Sequence, residues 1–217
     1  MSEWWKNEHY SQFGEDALLF SFFRNKGYGR SKKLDDIGDG FYVDIGCHHP
    51  YMISNTWFFY QRGWRGINVD PTPGVKKEFD EIRPEDINLQ IAIASEDGEA
   101  TLYHYGRAVY NTLDEARAQL DPSAEKITVQ TLRLDTLLDK YLPPVKELSI
   151  LSVDVEGLDL EVLRSNNWNK YRPEVVVAEL HQSSMQKIIS SDLFLAMSGW
   201  GYELYGWAQP SLVFRRR

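Results

Sequence analysis

Residues 39–70, DGFYVDIGCHHPYMISNTWFFYQRGWRGINVD, constrain the fold more than any other part of the chain. An apolar strand over 41–45 brings Asp44 to its end, and a tight turn follows. An aromatic-rich helix then runs over 55–62 to Gly63, and a second apolar strand over 66–69 delivers Asp70. A strand, turn, helix and strand with an acid closing each strand is the opening unit of a nucleotide-cofactor fold. In such a unit the first turn meets the charged part of the ligand, and the second acid grips ribose hydroxyls. The chain is therefore expected to be an enzyme.

The remaining sequence continues the alternation. Residues 11–26 read as a first helix, with Ser11 as N-cap, Glu15 and Asp16 in its early turns and Gly27 after its end. Residues 27–40, with four glycines and mixed charge, read as a connector. Beyond Asp70 the pattern predicts a short helix over 75–82 and a third strand over 89–94. Asp97-Gly98 reads as a hairpin turn into an alternating strand over 100–105. Residues 106–126 are polar and irregular, with helix potential near 113–120. A strand over 127–134 follows, and Asp135 is placed to cap a helix holding Leu137, Leu138 and Tyr141.

Apolar runs over 149–153, ending at Asp154, and over 175–178, ending at Glu179, suit central strands covered on both faces. Leu160, Val162 and Leu163 belong to a short helix between them. Met185, Ile188, Ile189 and Leu193 share one face of an amphipathic helix. Residues 202–205 and 211–214 then form an antiparallel pair around a Gly-Trp turn. Together these elements describe a doubly wound, three-layer α/β domain whose parallel sheet is closed by that pair.

Composition limits the partners. A chain of 217 residues suits one domain, here 1–217, with 1–38 an N-terminal helical extension to a core over 39–217. A net charge of −8 argues against nucleic acid, which needs a basic surface, and the tail Arg215, Arg216, Arg217 reads as solvated. The single Cys47 excludes a disulfide framework and a cysteine-based zinc site, and fits a cytoplasmic location. No signal peptide is visible, and no stretch approaches the about 18 apolar residues of a membrane span. Trp4 and Trp5 are read as packing residues and not as an interfacial anchor.

The turn Ile45-Gly46-Cys47-His48-His49-Pro50 has one glycine, where a diphosphate-binding turn wants three. S-adenosylmethionine makes smaller demands, presenting an amino-acid end and a sulfonium to this turn and its ribose to the next acid. On that logic Asp44 and Gly46 line the methionine portion and Asp70 accepts from the ribose hydroxyls.

SQFGEDALL near the start, GFYVDIGCHHPYMISNTWFFYQRGWRGINVDP, the IAIA run with Asp-Gly soon after it, and LSVDVEGLDLEVL together resemble the FkbM family of S-adenosylmethionine-dependent methyltransferases. The resemblance covers about Tyr10 to Glu179. It implies a Rossmann-like class I methyltransferase fold with a mostly parallel seven-stranded sheet and an antiparallel C-terminal strand. It also implies O-methylation, often of a sugar or polyketide-type hydroxyl. Carried over by residue, Asp44 and Gly46 match the cofactor turn, Ser54 and Asn55 its extension, Asp70 the ribose acid, and Ala92 the adenine neighbour. The His48-His49-Pro50 turn departs from the more usual glycine-bearing one.

Tyr10, Ser11, Gln12, Glu15 and Asp16 form a polar cluster before the core. It is either a capped helix start or a lid over the cofactor; the resemblance favours the lid, with Gln12 and Asp16 its contacts. Asp154, Glu156 and Asp159, with Glu179 and His181 after the next strand, form a second cluster. If the two strands are neighbours, Asp154 and Glu179 converge and suit Mg2+ or another divalent cation that would polarise a hydroxyl. The metal and metal-free alternatives stay open. His181 is the candidate general base, with Glu156 an alternative; a loop histidine and a helix-start acid are their structural counterparts. His48 and His49 are adjacent and face differently, so at most one reaches a pocket. Cys47 reads as a buried thiol. The segments 105–111 and 205–207 are offered as a substrate wall, since aromatic faces stack on sugar rings.

The expected activity is an O-methyltransferase acting on a small molecule, a sugar or a nucleotide-linked or polysaccharide sugar first, with a homo-oligomer left open. A nicotinamide-dependent oxidoreductase on a similar sheet and a non-catalytic relative are the alternatives.

Overall fold

Alternation at the first strand decides how the layers are built. In β1 (Phe41–Ile45), Phe41, Val43 and Ile45 join one apolar cluster, while Tyr42 joins another on the opposite face. A strand buried on both faces needs a helical layer on each. A computed structural model describes residues 8–27, 37–106, 111–119, 121, 123–144, 147–182 and 184–217. Trp4, Trp5, most of the 27–40 connector and residues 107–110 of the expected aromatic wall lie outside the described residues.

On the Tyr42 face, α1 (Glu15–Gly27) contributes Leu19, Phe20 and Phe23, and α2 (Trp57–Tyr60) contributes Phe58 and Phe59. Each such aromatic, fully buried, contributes roughly 2–3 kcal/mol. The first helix is thus a layer of the core, and the segment that reaches the cavity described below is the turn before it. On the other face lie α5 (Leu134–Tyr141), α6 (Asp159–Arg164), α7 (Met185–Ile189) and α8 (Asp192–Gly199), through Leu137, Val162, Ile188 and Met197.

The main sheet adds β2 (Arg65–Val69), β3 (Ile87–Leu89), β7 (Ile150–Val153), β8 (Val175–Glu179), β9 (Tyr202–Ala208) and β10 (Ser211–Arg216). Its order is β3-β2-β1-β7-β8-β10-β9, with β10 antiparallel to both its neighbours and β1, β2, β3, β7 and β8 parallel. This is the Rossmann-like, mostly parallel seven-stranded sheet expected from the sequence. The chain leaves β1 in opposite directions, toward β2 and, later, toward β7. Open α/β sheets bind ligands at such a switch point, outside the carboxyl ends of the strands.

Several expected elements differ. The strand placed over 89–94 breaks at Gln90: β3 stays in the main sheet, while β4 (Ala92–Ile93) enters a second, three-stranded sheet. There β5 (Gly98–His104) pairs antiparallel with β6 (Glu125–Leu132), so Asp97-Gly98 closes no hairpin between β4 and β5. Asp97 instead accepts from the backbone nitrogen of Arg133 at 2.7 Å. Arg133, and not Asp135, is the N-cap of α5. The helix read over 185–193 is two, because the Ser191 hydroxyl accepts from Phe194 N and starts α8 afresh. Gly206 and Trp207 lie inside β9, and the chain turns at Gln209-Pro210. No helix among the described residues is long and apolar enough to cross a membrane.

Candidate active site

Three strand ends are tied together around one glycine. Gly46 N donates to the Val69 carbonyl at the end of β2 (2.9 Å), and Asp154 N donates to the Ile45 carbonyl (3.0 Å). Gly46 has φ +76°, and a Cβ there would lie 1.8 Å from the Asp154 carbonyl oxygen. No side chain fits, so the turn leaving β1 presents bare backbone. Two residues on, His48 holds φ +54° and donates its backbone N–H to Asp70 Oδ2 (3.0 Å); Thr72 N donates to Oδ1 (2.8 Å). Asp70 therefore fastens the first turn to the second. Burial pushes its carboxyl above the ordinary range, against the pull of those N–H groups.

Asp44 faces the other way. Its period-two position turns it toward α2, where Oδ2 accepts from the Thr56 hydroxyl at 2.7 Å, and burial raises its pKa. Thr56 in turn accepts from Arg83 Nη1 (2.8 Å), and Ser54 Oγ from Arg83 Nη2 (2.8 Å); Nη2 also binds the Pro50 carbonyl. Arg83 is fully buried, with Trp57, Tyr60 and Phe79 rings around its guanidinium. It pins the loop between Pro50 and Thr56 from beneath. Ser54 Oγ also accepts from Trp57 N (3.1 Å), which makes it a helix-start ligand, and Asn55 Nδ2 donates to Ser152 Oγ (3.1 Å). Asp16 accepts from Tyr10 N and the Ser11 hydroxyl (both 2.7 Å) and pairs with His9 at 3.3 Å, shaping the turn before α1.

The acidic cluster does assemble, because β7 and β8 are neighbours. Glu179 Oε2 lies 3.0 Å from His181 Nε2, and Glu179 N donates to Asp159 Oδ1 (2.9 Å). Glu156, at φ +56°, is held by Arg117 on α4 (Glu115–Ala118): Nη2 meets Oε2 at 2.5 Å and Nη1 the Glu156 carbonyl at 2.8 Å. Burial first, and then the neighbouring carboxylates, raise Asp154 to about 8 and Asp159 and Glu179 to about 7. Among the described residues, ligand atoms of Glu156, Glu179 and His181 come within 4.8 Å of one another. Asp154, expected to hold a divalent cation together with Glu179, is outside that group.

These strand ends open onto a cavity of about 920 Å³, in the range of small-molecule sites. Of the residues assigned to a cofactor from sequence, Gln12, Gly46, Asp70 and Ala92 line it. Asp16, Asp44, Ser54 and Asn55 do not; their side chains bond to residues behind the lining. Asp154, Glu156, Glu179 and His181 all line it. His48 reaches the cavity, whereas His49 accepts from Tyr51 N and Met52 N and stays in its own turn. Cys47 is buried against Val75 and Phe79, with its thiol pKa pushed well up by burial, which makes it inert. Tyr205 packs on Phe22, and neither it nor Trp207 is on the wall, so the 205–207 part of the expected wall packs on the core, while Asn111 of the 105–111 part lines the cavity. Sequence reasoning missed Arg117 and Ile53, which also line the cavity, whereas Asn111 belongs to the segment expected there. Arg117 sits in the irregular polar stretch with no period, and Ile53 shows only as a β-branched residue at φ +54°.

The family model described as the methyltransferase FkbM domain matches residues 44–204, most of the chain. No curated protein matches it.

Proposed function

The chain belongs to the FkbM methyltransferase family, and from that premise we propose that it is an S-adenosylmethionine-dependent O-methyltransferase. Its acceptor is a hydroxyl of a small molecule, a free, nucleotide-linked or polymer-linked sugar first among them. The observation that supports the cofactor reading best is Asp70, a carboxylate at the end of β2 on the cavity wall, held by two backbone N–H groups. Its oxygens keep lone pairs for two ribose hydroxyls. Ile91, Ala92 and Leu102 offer an apolar surface suited to a flat purine, and Gly46 lines the cavity where the amino-acid end would lie. The residues present fit this cofactor.

When bound, the cofactor supplies a methyl group on a positively charged sulfur. The chain's own groups hold it, align the acceptor and take the acceptor's proton. In this reading Asp70 holds the ribose, Gln12 covers the cavity from the turn before α1, and Asp154 and Glu156 orient the acceptor hydroxyl. Glu179 occupies Nε2 of His181, which leaves Nδ1 as the free basic position. His181 then accepts the hydroxyl proton at Nδ1 while Glu179 steadies the resulting imidazolium.

Incubation with methyl-labelled cofactor and a panel of free, nucleotide-linked and glycan-linked sugars tests the reaction. Label is expected in an ether product. His181→Ala is expected to cut kcat by about a hundredfold with cofactor affinity retained. Label transferred to nitrogen or carbon acceptors instead would overturn the O-methylation reading.

A further inference from the structure

The charges on the cavity wall are mostly of one sign. Asp70, Asp154, Glu156 and Glu179 line it, and among the described residues Arg117 is the one arginine or lysine that does. Arg117 is committed to Glu156 through both the carboxylate and the carbonyl. Further carboxylates back the wall from three other elements: Asp44 on β1 stands behind Asp154, and Asp159 on α6 and Glu15 on α1 stand behind Glu179. His181, on the chain after β8, and Arg117 and Glu156 on the wall also face Glu179. The acidic loop is also continuous with the cofactor turn, because the Asp154 backbone is the surface against which Gly46 is packed.

We propose that Asp154 and Glu179 select the sulfonium form of the cofactor over its neutral demethylated product, so that methyl transfer itself weakens the hold on the spent cofactor. The inference rests on the S-adenosylmethionine reading above. The two nucleosides differ by one methyl group and one positive charge. Arg117 is held by Glu156 and its charge also acts on Glu179, but one positive charge among four wall carboxylates leaves the site net negative toward the ligand as they ionise. An ionised carboxylate several ångströms from a monocation, at the effective dielectric of a partly open site, changes affinity by about tenfold. The discrimination grows with pH as the buried carboxyls ionise.

Isothermal titration of S-adenosylmethionine, S-adenosylhomocysteine and sinefungin, whose amine carries a positive charge in place of the sulfonium, separates charge from shape. At about pH 8, both cationic ligands are expected to bind about tenfold more tightly than S-adenosylhomocysteine. At about pH 6 the gap is expected to narrow to about threefold or less. Glu179→Gln, and separately Asp154→Asn, are expected to narrow it at about pH 8 as well, chiefly by weakening the cationic ligands. S-adenosylhomocysteine binding as tightly as the cationic pair to the wild-type protein at about pH 8 would overturn the inference and leave the cofactor reading standing. No binding of any of the three would overturn both.

Discussion

The α-carbon of Gly46 is packed so closely on the carbonyl of Asp154 that a Cβ would sit 1.8 Å from that oxygen. The contact joins the ends of β1 and β7, the point where the sheet reverses its winding. Gly46→Ala adds both this clash and a disfavoured φ. It is expected to lower stability by about 2–4 kcal/mol, measured as a fall in the urea midpoint at unchanged slope. An unfolding free energy within about 0.5 kcal/mol of wild type would contradict the packing.

Arg83 is the buried cation that holds the loop before α2, through Ser54, Thr56 and the Pro50 carbonyl, with Asp86 4.0 Å away. Arg83→Met strands these groups and leaves Asp44 and Asp86 without their nearest cation. A loss of about 3–5 kcal/mol is expected in urea unfolding, and Arg83→Lys is not expected to restore it, because one ammonium cannot reach both hydroxyls.

Ser54 makes the same point on a smaller scale. Its hydroxyl serves Arg83 and the backbone of Trp57, not the cavity. Ser54→Ala is expected to cost about 1–2 kcal/mol of stability while changing cofactor affinity by less than about threefold. A large loss of affinity with unchanged stability would restore it to the ligand.

Stability is expected to fall as pH rises through the neutral range. Folding raises Asp154 to about 8 and Asp159 and Glu179 to about 7. Between about pH 4, where these groups titrate when unfolded, and those values, the folded chain holds more protons than the unfolded one. The derivative of unfolding free energy with pH is therefore negative across that window and levels off above it. Urea midpoints at about pH 5.5, 7 and 8.5 should decline in that order, and Glu179→Gln should flatten the decline. A rising series would contradict the coupled-carboxylate description.

The sequence carried the frame of the fold because strong periods and punctuation agreed there. The helix over Val75–Ile82 and the apolar strands ending at Val69 and Val153 fall where expected, bounded by Pro73, Asp70 and Asp154. It failed where a single polar group overrode the period. Ser191 restarts a helix that its apolar spacing continues, and Asp97 caps Arg133 where its turn signal suggests a hairpin. Asp44 is the instructive case. Its strand end drew it to the ligand, yet alternation with Val43 and Ile45 sends its side chain toward Thr56, a consequence already written in the pattern DIG. Asp70 escapes that fate because it follows the last residue of β2. Arg117 had no period to reveal it, since it reaches the cavity from an excursion whose position depends on contacts distant in sequence.

The central claim is that the Gly46–Asp70 end of the cavity holds S-adenosylmethionine. Isothermal titration of S-adenosylhomocysteine into the wild-type protein and into Asp70→Ala tests it most directly. The account expects one site per chain in the wild type and a loss of about tenfold or more in affinity in the variant, with a folded baseline in both. No heat of binding in the wild type, or equal affinity in the two proteins, would contradict it.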